Sequence, residues 1–210
     1  MNKISNIVLV QTPKNSKFIK SCTMEFIQNG KKLCCNLHDI HNSVSVLIYN
    51  ITRNRFVFVR QFRPAVYYES IHPKDRKPNV EIDTLKYPPE KGITLEFCSG
   101  IVDKKIPIRD IAKDEILEEC GYEVPSESLL KIGNCRSGAE YHGSYQSIMY
   151  CEVNDEMRVS QGGGVGTEMI EVVEMSLDQV KQYITKEHVN SPPGFLFGIY
   201  WFLYNKRNNK

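Results

Sequence analysis

Glu115, Glu118 and Glu119 are the residues of this 210-residue chain whose type and spacing bear most directly on chemistry. On a helix, positions i, i+3 and i+4 share a face, so three negative charges would crowd one side of a single turn. No lysine follows at the spacing that would relieve the repulsion. A hard divalent cation would relieve it directly, because Mg²⁺ takes oxygen ligands and usually shares them with substrate phosphates. A solvated acidic face is the plain alternative, and spacing alone leaves both open. Arg63, in the run Gln61-Phe-Arg-Pro-Ala-Val-Tyr67, offers a planar fork of donors suited to phosphate oxygens. A glycine-rich loop, Gln161 to Thr167, precedes Glu168. It lacks a following Gly-Lys-Ser/Thr and fails the G-x-G-x-x-G spacing, so it is neither a P-loop nor a dinucleotide fingerprint. Its glycines suit a hinge that carries Glu168. In the segment Ser137 to Ser144, Tyr141 and His142 are candidates to stack on a base or contact a sugar.

The elements that must position these residues are strands and three helices. Phe18-Ile19, Met24 and Phe26 precede Asn29-Gly30, and Leu33-Cys34-Cys35 follow it, which predicts a tight hairpin. A second hairpin joins Ser43–Tyr49 to Phe56–Val59. Residues 68–92 carry four prolines, many charges and little periodicity, and read as a long surface loop. Ile93 to Cys98 reads as one strand. A helix fits Arg109 to Cys120, with Pro107 just ahead and Gly121 just after. Strands are expected at 129–135, 146–153 and 169–175, and a short helix at Leu177–Lys186. The last helix, Phe195 to Asn205, is apolar nearly all round and is expected to be largely buried.

Composition excludes several classes. Twenty-seven Lys and Arg against twenty-five Asp and Glu leave a net charge of +2, too small to argue for nucleic acid or an anionic membrane surface. The longest apolar run, Phe195 to Tyr204, is far short of the ~20 residues a bilayer needs. Seven cysteines with no Cys-x-x-Cys argue against a disulfide framework or structural zinc. The expectation is a reduced, cytoplasmic protein.

The stretch Gly100 to Tyr122 resembles the Nudix box, G-x5-E-x7-R-E-U-x-E-E-x-G-U with U apolar. Gly100, Glu115, Ile116, Glu118, Glu119 and Gly121 fall on its positions without a gap, and Tyr122 takes the last apolar one. Ile106 stands where the first box Glu would be, and Asp114 where the box Arg would be. The segments Val59–Tyr67 and Leu95–Gly100, the glycine loop, and the runs IEVVEM and FGIYWFL extend the likeness to the ADP-ribose and nucleotide-sugar pyrophosphatase branch, from about residue 18 to 205. The resemblance implies an α/β/α sandwich with a mixed β-sheet and N-terminal antiparallel strands. It implies a single domain over 1–210, with 1–42 a β-extension involved in homodimerisation. It implies Mg²⁺, with Mn²⁺ as a substitute, held by Glu115, Glu118, Glu119 and the main-chain carbonyl of Ser99. Glu168 and Glu115 would be catalytic, Glu171 the alternative base, and Arg63, Glu96 and Tyr141 would bind substrate. The implied reaction is hydrolysis of the pyrophosphate of a UDP-sugar such as UDP-glucose to UMP and a sugar 1-phosphate. ADP-ribose hydrolysis is the alternative, as is a catalytically impaired binding module, which Ile106 and Asp114 keep open.

Overall fold

The computed structural model describes residues 4–11 and 20–206. Nine strands and four helices follow in the order β1 (Lys20–Gln28), β2 (Lys31–Asp39), β3 (Ser43–Asn50), β4 (Arg55–Phe62), α1 (Pro64–Ser70), β5 (Ile93–Glu96), β6 (Cys98–Ile101), α2 (Ile108–Glu115), β7 (Leu130–Arg136), β8 (Tyr145–Val153), β9 (Glu171–Ser176), α3 (Leu177–Ile184) and α4 (Pro193–Asn205). A wider π-helical turn, Ile116–Cys120, continues α2. No helix among the described residues is long and apolar enough to cross a membrane.

Strands β3 to β9 form one mixed sheet in which only β3 and β8 run parallel. The sheet forks where β3 and β4 diverge. Their pairing covers only Ile48–Asn50 against Arg55–Val57. Beyond it β5 pairs with β4 and β6 pairs with β3. The run expected as a single strand, 93–98, is thus two strands broken at Phe97, one on each limb of the fork.

Side chains alternate across a strand, and both faces of this sheet are apolar. Val44, Val46, Ile48, Val57 and Val59 pack beneath α2 through Ile111, Ala112, Ile116 and Cys120. Leu47, Phe56, Phe58 and Phe97 pack against Val180 of α3 and Phe195, Ile199 and Phe202 of α4. Helix-on-sheet-on-helix layering follows, at about 1.5–3 kcal/mol for each fully buried aliphatic or Phe side chain. Phe195 anchors α4, its ring centroid 4.8 Å from Phe97 and 5.0 Å from Phe58. Gly198 permits that approach, since a Cβ there would lie 2.5 Å from the Phe97 ring. The expectation of a largely buried α4 needs correction, because Phe197, Tyr200 and Tyr204 are exposed. One helix face suffices to cover the sheet.

Two further findings depart from the sequence reading. Residues 68–92 are not a bare loop. Tyr67, Ile71, Ile82 and Tyr87 form a small core of their own, joined by Ile7, Leu9 and Phe62. The Tyr67 hydroxyl donates to the Tyr87 carbonyl at 2.7 Å. Val66 and Tyr67, for which no helix was expected, belong to α1. The N-terminal hairpin is present: β1 and β2 pair antiparallel from Lys20–Asp39 to Gln28–Lys31, turned by Asn29 and Gly30 at positive φ. It forms a separate two-stranded sheet, exposed along almost its whole length. Phe18-Ile19 lie outside the described residues.

Candidate active site

The fork in the sheet opens into a cleft of about 740 Å³. Helix α2 and its wide turn bring Glu115 and Glu119 to it, β5 brings Glu96, β6 brings Ser99 and Gly100, and the loop before β9 brings Glu168. Gly100 has a steric reason. A Cβ there would fall 1.9 Å from Glu115 Oε1, so only glycine lets that carboxylate lie against β6. Glu119 is buried, and its Oε2 accepts the Ser99 N–H at 3.0 Å. Burial is the main reason the Glu119 carboxyl is pushed up to about 8, with Glu115 and Glu168 adding to it and the Ser99 N–H opposing it. Burial also pushes Glu115 up to about 7, helped by the charges of Glu118, Glu168 and Asp114 and opposed by Lys104. Asp114 therefore adds to the repulsion, and the nearby cation comes from Lys104, on the loop between β6 and α2.

On the other limb, Arg63 Nε and Nη2 donate to the two oxygens of Glu96 at 2.8 and 2.7 Å. The Thr94 hydroxyl donates to Glu96 Oε1 at 2.6 Å. Glu96 is only 5% exposed, so its acceptor capacity is largely taken up by these three bonds. The pairing holds the Arg63 guanidinium above its ordinary range, and the charges of Glu119 and Glu168 act in the same direction.

The glycine loop is docked on the carboxylate helix. Gly163 N–H donates to the Glu119 carbonyl at 2.9 Å and Gly164 N–H to the Glu118 carbonyl at 3.0 Å. Gly162 to Gly164 and Gly166 all have positive φ. A Cβ on Gly162 would meet the Glu119 carbonyl oxygen at 2.2 Å, and one on Gly164 would meet Glu168 Cβ at 2.7 Å. Val165 N–H donates to Glu168 Oε2 at 3.0 Å, closing a tight turn. Glycine at 162 and 164 serves close backbone approach.

The cleft thus gathers five of the expected residues, Arg63, Glu96, Glu115, Glu119 and Glu168, together with Ser99. Glu118, expected as a ligand beside them, is half-buried and does not line the cleft. Tyr141 does not line the cleft. It is exposed, and its carbonyl accepts the His38 N–H of β2 at 2.8 Å. His142 is held by Ser144 at 2.8 Å. Glu171 is paired with Arg60 at 2.7 Å and also lies off the cleft. Ile106 is exposed. Gln61, from the same run as Arg63, also lines the cleft, as do Thr94, Gln146, Asn190 and Ser191, which were not singled out in the sequence, being common polar residues from three separated stretches.

Four carboxylates and one guanidinium line this space. With Arg63 matched to Glu96, Glu115, Glu119 and Glu168 face the cleft without an ion pair among the described residues, and Glu118 raises the cost of ionising Glu115. The donors are all hard oxygen, the set a divalent cation such as Mg²⁺ takes. Among the described residues no group of three or more acidic, His or Cys side chains is placed so that it could hold a metal ion. The donor set suits such an ion in its chemistry, while the side chains as placed do not form a site for one.

No family model matches the chain. It is 34% identical to the uridine diphosphate glucose pyrophosphatase NUDT14 of Bos taurus over 200 residues, 89% of each chain. With that of Mus musculus the identity is 30%, over 90% of this chain and 89% of the relative. The GDP-mannose pyrophosphatase of Klebsiella pneumoniae is 30% identical over 149 residues, 70% of this chain and 64% of that one. A crystal structure of an ADP compounds hydrolase shares the fold at a TM-score of 0.66 and 14% identity, covering 100% of this chain and 98% of the other.

Proposed function

The chain belongs to the Nudix hydrolase family as a nucleoside-diphosphate-sugar pyrophosphatase, and we propose that its substrate is a UDP-sugar, cleaved with Mg²⁺ to UMP and a sugar 1-phosphate. The observation that carries this reading is the cleft itself, where Arg63 stands among carboxylates beside a polar, uncharged wall. The identity to the UDP-glucose pyrophosphatases over nine-tenths of the chain supports the choice of base and sugar.

Glu115, Glu118 and Glu119 would hold the metal ion, with the main-chain carbonyl of Ser99 as a further ligand. Bound there, the ion supplies charge neutralisation on phosphate oxygens and a lowered pKa for a coordinated water. Glu168, on its tight turn at the cleft, orients the attacking water and accepts its proton. It is preferred to Glu171, which faces Arg60 instead. Arg63 binds the pyrophosphate, aimed by Glu96, and stabilises charge that develops on it. Burial of Glu119 keeps water from solvating the carboxylate in place of the ion. The chain acts as one domain whose N-terminal hairpin docks on a second copy in a homodimer. Exposed Met24, Phe26, Ile27 and Leu33 on that hairpin support this, since an isolated two-stranded ribbon is at best marginally stable in water.

The test is incubation with UDP-glucose or ADP-ribose, with Mg²⁺ or EDTA, followed by separation of the products. Mg²⁺-dependent UMP and glucose 1-phosphate, reduced at least about a hundredfold in Glu119→Gln, is the expected result. Faster AMP release from ADP-ribose would move the substrate to that class. Ligand binding without product would make the chain a sensor.

A further inference from the structure

We infer that Gln146, held in place by Ser45 and Gly194, is a specificity-determining residue that reads hydroxyl groups of the glycosyl moiety. The inference rests on the pyrophosphatase reading and extends it to a part of the cleft to which no role has been given. Gln146 begins the inner part of β8, next to Ser43 of β3 in the parallel register, and lines the cleft. Its amide is fixed on both sides. Nε2 donates to Ser45 Oγ at 2.9 Å. Oε1 lies against the first turn of α4, where a Cβ on Gly194 would come within 2.1 Å of it. Any larger residue at 194 would push the amide aside.

Three neighbouring polar groups of this wall are engaged with the scaffold. The Thr94 hydroxyl donates to Glu96, Asn190 Nδ2 donates to the Ile93 carbonyl at 3.3 Å, and Ser191 Oγ donates to the Leu95 carbonyl at 2.5 Å. Gln146 has four hydrogen-bonding positions, of which one is taken by Ser45. It therefore retains one amide N–H and the carbonyl Oε1 for a ligand. A hydroxyl, itself donor and acceptor, satisfies both. A phosphate oxygen only accepts and would leave the amide carbonyl unmatched in a partly buried site. No lysine and no arginine other than Arg63 lines the cleft among the described residues. The chemistry beside Gln146 thus suits a neutral polyol such as a hexosyl group and disfavours a second phosphorylated group.

The experiment compares kcat/KM for UDP-glucose with that for the methyl ester of UDP, which keeps the pyrophosphate and lacks the sugar. In Gln146→Ala the ratio of the two should fall by about five- to tenfold, the worth of one or two neutral hydrogen bonds. Gly194→Ala should lower the same ratio with Gln146 still present, and thermal melting of both variants checks that they are folded. A ratio unchanged within twofold in Gln146→Ala overturns the inference. Failure of the unaltered protein to hydrolyse either compound overturns the pyrophosphatase reading, and the inference with it.

Discussion

At Glu119 the fold works against the carboxylate's charge, and this sets a pH dependence. A carboxyl group whose folded pKa is raised from 4.5 to about 8 contributes stability that is full below its unfolded pKa and lost as pH rises through the folded value. Glu115, raised to about 7, adds in the same direction, with its partial exposure reducing the effect. In EDTA the melting temperature should therefore fall between pH 5 and pH 8.5, by on the order of 5 °C. Added Mg²⁺ should flatten the slope, since the ion competes with protons for the same oxygens. Glu119→Gln should melt higher than the unaltered protein at pH 8.5 in EDTA, because an amide can accept the Ser99 N–H without charge. Scanning calorimetry at the two pH values checks all three, and a melting temperature that rises with pH in EDTA would contradict them. Thr94 offers a second residue-level prediction. Thr94→Val removes a donor from buried Glu96 and loosens the aim of Arg63. KM for the nucleotide sugar should rise about three- to tenfold with a smaller change in kcat, and Thr94→Ser should restore it.

The glycine loop and the helix it caps act as one element. Main-chain bonds from Gly163 and Gly164 to the carbonyls of Glu119 and Glu118 tie the loop of the proposed base to the helix of the proposed ligands. Gly162→Ala would set a methyl 2.2 Å from a main-chain oxygen at φ +70. It should cost about 1–3 kcal/mol of stability, read as a lower midpoint in urea. Gly164→Ala presses on Glu168 itself and should lower kcat more than it lowers the melting temperature. This coupling was not legible in the sequence, where the glycines read only as freedom to hinge. The helix was legible from Pro107 just ahead of it and Gly121 just after. Its last turn was not. The widening at Ile116–Cys120 keeps the residue order of an ordinary helix and changes only the hydrogen-bond partners, a feature found often at functional sites.

At the scale of the molecule, the hairpin of β1 and β2 stands outside the main sheet with Ile27 76% and Met24 54% exposed. If a second copy covers it, Ile27→Asp should shift the mass in multi-angle light scattering from two chains toward one while leaving the main sheet folded. An unchanged mass would mean that the hairpin is not the contact. By itself the sequence determined most of the strands, three of the four helices and the carboxylate motif, because these rest on residue type, turn signals and short-range spacing within one segment. Only the tertiary structure decided where β3 and β4 part, that residues 68–92 fold onto Tyr67, that Glu96 grips Arg63, that Tyr141 lies off the cleft, and that Gln146 meets Gly194. Each of these joins residues distant in the chain through ordinary side chains. Their meaning comes from which backbone lies across from them, and local spacing holds no record of that.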